Sequence, residues 1–187
     1  MANGATNSGG RAGSPWRVAG WSIAALLLLL PLVAMRFTAE VNWTVSDFLF
    51  AGLMIGIVGV TFELTVRVTA SNAARAAIAV ALAAAFLTIW ANGAVGMIGD
   101  EDNPFNLLFF GVIALALAGA IVARFRPAGM ALAMAAAAVA QVAIAAIGLS
   151  TDPRGGVLSA AFGGLWLLSA ALFRKAAREQ QPADAAS

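Results

Sequence analysis

The chain has 187 residues, 61% hydrophobic and 11% charged, with a formal net charge of +2, whereas globular domains run at about 45–50% apolar and about 25% charged. A soluble domain of this size has no interior for so much apolar surface, and a disordered chain needs the opposite balance of charge and hydropathy. His, Cys and Tyr are all missing, which excludes histidine general bases, thiolate nucleophiles, haem or zinc sites built on imidazole or sulfur, and disulfides.

Read in chain order, Met1 to Pro15 is rich in Gly, Asn and Ser and predicts a disordered tail. Six apolar windows follow, from Val18 to Met35, Phe48 to Val66, Ala73 to Ile98, Phe105 to Ala123, Ala128 to Leu149 and Val157 to Phe173. Each is near the roughly 20 residues that cross a hydrocarbon core of about 30 Å. The basic start and the Leu26 to Leu30 run of the first window imitate a secretory signal, but Leu32 to Met35 offers no small-x-small cleavage site, so this window reads as a retained span. The predicted fold is therefore an all-α, polytopic membrane protein: a bundle of six transmembrane helices with short loops over residues 16–176, and a second tail at 177–187 that frays from Glu179 to Ser187.

Orientation follows from the basic residues. Arg11, Arg17, Arg67, Arg75, Arg124, Arg126, Arg174, Lys175 and Arg178 fall on one side of these six spans, against Arg36 and Arg154 on the other. The second side instead holds Glu40, Asp47, Asp100, Glu101, Asp102 and Asp152. Short basic connections stay in the cytoplasm, so both termini are expected there and the three acidic connections outside. Glycines in the second, third, fourth and sixth spans and the alanine-rich fifth predict close helix packing, with the fifth near the bundle centre.

Few polar residues lie within the spans. Glu63 stands one turn before Arg67, a spacing that predicts an ion pair within one helix, while an intramembrane carboxylate is also the residue type that holds a proton or cation. Gln141, close to the midplane of the fifth span, is placed to bridge two helices. Asn92 closes the third span, and Asp100, Glu101 and Asp102 form the densest polar group. Asp102 or Asn103 ahead of Pro104 predicts a capped helix start. Three adjacent carboxylates also have the chemistry for a hard cation, although Gly111 stands where a calcium-binding EF-hand loop carries Glu.

The segments Glu40 to Trp43 with Asp47 and Phe48, Phe62 to Leu64, Gly96 to Gly99 running into Glu101 to Asn106, and Arg124 to Pro127 resemble those of small uncharacterised bacterial inner-membrane proteins. The resemblance spans roughly Leu29 to Arg178. It implies a bacterial inner-membrane location and carries no activity to transfer. The expected role is a structural or accessory membrane component without catalytic chemistry or cofactors, in contact with the lipid bilayer and with a second copy or a membrane protein partner, and not with nucleic acid. The alternative is a small transporter or channel for a cation, proton or small solute. In that reading Glu63, Asn92, Gln141 and Asp100 to Asp102 share one interior surface.

Overall fold

The structure is a computed structural model that describes residues 15–69 and 71–184, with side chains from 17 to 180. It is all-helical among these residues: α1 (Pro15–Ala34), α2 (Val45–Val68), α3 (Asn72–Ala94), a 3₁₀ turn (Pro104–Asn106), α4 (Leu107–Val122), α5 (Pro127–Gly148) and α6 (Pro153–Asp184). Six helical stretches among the described residues, the fourth running from Pro104 through α4 to Val122, are long and apolar enough to cross a membrane, so the chain is an integral membrane protein of the multi-pass kind. By packing it divides into two compact units, Met1–Gly59 and Val60–Ser187.

In the first unit, α1 lies against the first part of α2 through large-on-small contacts. A Cβ at Gly59 would sit 2.9 Å from the Trp21 ring, and one at Gly52 would sit 3.7 Å from Leu28. Both pairs are seven residues apart, so two turns of each antiparallel helix repeat the same fit. The entry to α2 is built by the segment from Trp43 to Phe48. The Asp47 carboxylate accepts the Thr44 amide at 2.7 Å and the Thr44 hydroxyl at 2.8 Å, which satisfies groups at the exposed helix start. Trp43 and Phe48 close edge to face across this cap at 5.1 Å, the position of a hydrophobic staple.

In the second unit, α6 packs between α3 and α5, and α5 packs between α6 and α4. The core is mostly alanine with a few large fillers: Ala77, Ala84, Val112, Ala116, Ala120, Met134, Ala137, Ala138, Trp166, Ala170 and Phe173. Lipid is as apolar as these side chains, so association gains little from hydrophobic burial and depends on close van der Waals contact, which small residues permit. The alanine-rich α5 is the most buried span, yet Leu132 and Val139 keep one stripe of it exposed. The α4–α5 hairpin closes over four residues: Arg124 and Phe125 both take left-handed backbone, the Phe125 amide reaches back to the Ala120 carbonyl at 3.1 Å, and Pro127 starts α5.

Several boundaries differ from the sequence reading, two of them for reasons the backbone and the packing show. The third span ends at Ala94, four residues before Ile98, because Gly96 and Gly99 adopt φ of +76° and +73° and the helix cannot continue through them. The sixth helix continues to Asp184 through much of the segment expected to fray. Phe173 and Ala176 are buried, and Glu179 accepts the Ser71 hydroxyl at 2.9 Å, so packing and a cross-connection hold turns that hydropathy alone does not extend. The expectation for residues 1–14 lies outside the described residues.

Candidate functional site

The polar residues converge where the α3–α4 connection meets the α5–α6 turn. After Ala94 the chain turns at Gly96 and sends Met97 and Ile98 back inward, where they pack with Phe109 as a second apolar cluster. A buried non-helical segment must pair its backbone groups, and four side chains do this. The Asn106 amide is used at both ends: Oδ1 accepts the Ile98 amide at 2.8 Å, and Nδ2 donates to the Asp100 carbonyl at 2.7 Å. Asn103 donates to the Ile98 carbonyl at 2.9 Å and accepts the Phe105 amide at 3.0 Å, capping the 3₁₀ turn that Pro104 opens. Asp152 accepts the Gly99 amide with one carboxylate oxygen and the Gly155 amide with the other, both at 2.9 Å, so it caps α6 and clamps the connection to it. Ser159 donates to the Met97 carbonyl at 3.0 Å.

The clamp extends inward. Gln141, fully buried on α5, donates from Nε2 to the Ser159 carbonyl at 3.0 Å, bridging α5 and α6 directly beneath the turn. Deeper still, Ser169 of α6 donates to the Ala77 carbonyl of α3 at 2.9 Å. Thr88 Oγ1, Asn92 Oδ1, Gln141 Oε1 and Trp166 Nε1 are buried with no hydrogen-bond partner among the described residues. The amides of Gly155 and then Gly99 hold the Asp152 carboxyl below its ordinary range against the opposing effect of burial, with smaller help from Arg154.

The residues singled out from sequence do not all meet. Asp100, Glu101 and Asp102 stand exposed on the clamped turn, and their carboxylates make no hydrogen bond or ion pair among the described residues. Among the described residues no three His, Cys, Asp or Glu side chains form a set able to hold a metal ion. Asn92 lies on the last turns of α3 and donates to the Thr88 carbonyl of its own helix at 2.8 Å. Gln141 joins the turn through Ser159. Glu63 pairs with Arg67 one turn on at 2.5 Å, and neither belongs to this network.

Asn106, Asp152 and Ser159 carry as much of the arrangement as any residue singled out from sequence. Asp152 had a local signal, since Asp-Pro with Gly at the third helical position repeats the cap-and-proline grammar of Asn103 and Pro104. No family model, no curated protein and no solved structure matches the chain.

Proposed function

We propose that the chain is a non-catalytic accessory protein of the bacterial inner membrane, with both termini cytoplasmic, whose acidic turn outside the membrane docks a membrane-protein partner or a second copy. One observation supports this above the others: the turn is rigidly built, yet its three carboxylates are left unused by the fold. Backbone atoms of Ile98, Gly99 and Asp100 are tied to Asn103, Asn106 and Asp152, while the charges point away. Charges on a fixed backbone discriminate between partners by electrostatic complementarity with no backbone left to order.

The chain has no native cysteine, so single cysteines report topology cleanly. Glu101→Cys should label with an impermeant reagent from outside intact cells and Glu179→Cys only after lysis; the opposite pattern overturns the orientation. A photo-crosslinking residue at position 101 should give one discrete adduct that disappears when Asp100, Glu101 and Asp102 are all neutralised. A smear, or an adduct indifferent to neutralisation, refutes the docking role.

A second reading is supported by the three unpartnered buried oxygens of Thr88, Asn92 and Gln141, which a transported cation, proton or small solute would satisfy. It requires Glu63, Asn92, Gln141 and the acidic turn to line one path, and Glu63 and Gln141 instead make separate pairings. Flux into proteoliposomes that Gln141→Leu abolishes would establish this reading against the first.

A further inference from the structure

Between α5 and α6 the second unit carries an open groove of about 620 Å³. Its walls are apolar over most of their length, with Ala128 and Leu132 on one side and Leu167 and Ala171 on the other, and Arg174 and Arg178 close one end. The apolar walls face outward: Leu132 is 74% and Leu167 53% exposed. Arg174 and Arg178, one turn apart on α6, make no ion pair among the described residues.

Membrane geometry places the two ends in different media. Counting from Pro153, about 20 residues at 1.5 Å each consume the roughly 30 Å hydrocarbon core, so Phe173 lies near its edge and Arg174 and Arg178 lie at headgroup level. From Arg174 back to Leu167 the apolar part of the groove runs roughly 10 Å along α6, about two-thirds of the depth of one leaflet. A cleft that is apolar within the leaflet and doubly cationic at the headgroup boundary matches an acyl chain joined to an anionic phosphate ester, and basic pockets between spanning helices bind such headgroups. A bare phosphate ion would leave the apolar length unfilled, and an apolar helix would leave both guanidinium groups without a counter-charge.

We infer that this groove binds one anionic phospholipid of the surrounding bilayer, with an acyl chain along Ala128, Leu132, Leu167 and Ala171 and the headgroup phosphate on Arg174 and Arg178. The site is independent of the acidic turn and of the docking role proposed for it.

The test is native mass spectrometry of the full chain in mild detergent, titrated separately with palmitoyl-oleoyl phosphatidylglycerol and phosphatidylcholine. One phosphatidylglycerol per chain should be retained in preference to phosphatidylcholine. Arg174→Gln with Arg178→Gln should weaken phosphatidylglycerol about 30-fold and remove the preference. Ala171→Trp, at an exposed position, should block the groove with helicity unchanged by circular dichroism, and Ala128→Trp provides the same obstruction from the other wall. Equal retention of the two lipids, a double variant that keeps its preference, or a lipid-free dimer that Ala171→Trp or Ala128→Trp splits into monomers would each overturn the inference, the last by showing a second copy in the groove.

Discussion

Gly96→Ala should loosen the acidic turn while a neighbouring glycine tolerates the same change. Gly96 sits at φ +76°, and a methyl group there would overlap the Asp100 carbonyl and stand 2.9 Å from Asn106 Nδ2. Left-handed backbone costs an L-residue about 1–2 kcal/mol. Moving the Asp100 carbonyl also breaks its 2.7 Å bond from Asn106, worth about 1 kcal/mol. The sum, about 2–3 kcal/mol, predicts an open population of the turn roughly 30- to 150-fold larger. Hydrogen exchange at the Ile98 and Gly99 amides reads this directly, since both are held by the network that the substitution strains. Gly93→Ala, three residues earlier on α3 with open space around its Cβ position, should leave exchange at those amides unchanged. If Gly96→Ala changes it less than about threefold, or the two variants behave alike, the geometry argued for the turn is wrong.

Three further outcomes follow from the packing and the clamp. Gly119→Val should separate α4 from α5, because even a Cβ would lie 2.6 Å from that of Ala133; overpacking of about 1–3 kcal/mol should lower the unfolding midpoint in detergent, while Gly111→Val, facing open space, should not. Gln141→Leu should change stability by no more than about 1 kcal/mol, since it gives up one bond to Ser159 and also removes a buried oxygen that has no partner. A loss of several kcal/mol in chemical denaturation would show that this oxygen is satisfied in the membrane. The Asp152 clamp should be pH-dependent in one direction: its carboxyl is held low, so its contribution is complete above the ordinary aspartate range and is lost as pH falls through the lowered value. Exchange at Gly99, corrected for intrinsic rate, should therefore rise on acidification, and Asp152→Asn should abolish that pH response.

Membrane class, six spans and the fifth helix as a packing centre were legible because length, hydropathy and residue size are carried by each segment alone. The same holds for local grammar: Thr44 with Asp47, Asn103 with Pro104, and Glu63 with Arg67 are partners within a turn of each other. Hydropathy misplaced the end of α3, because Met97 and Ile98 are apolar and buried without being helical, and no window average distinguishes those cases.

Tertiary structure alone decided which polar groups meet. Asp152 reaches Gly99 across 53 residues, Ser159 reaches Met97 across 62, and Ser169 reaches Ala77 across 92. In each pair one partner is a backbone amide or carbonyl, a group that nearly every residue carries, so no residue type marks that partner in advance. The groove between α5 and α6 has the same origin: Ala128, Leu132 and Arg174 are ordinary residues of two spans, and only antiparallel packing sets an apolar cleft beneath two arginines. Composition determined the solvent in which this protein folds, and the crossing of its helices determined what its few polar and basic groups face.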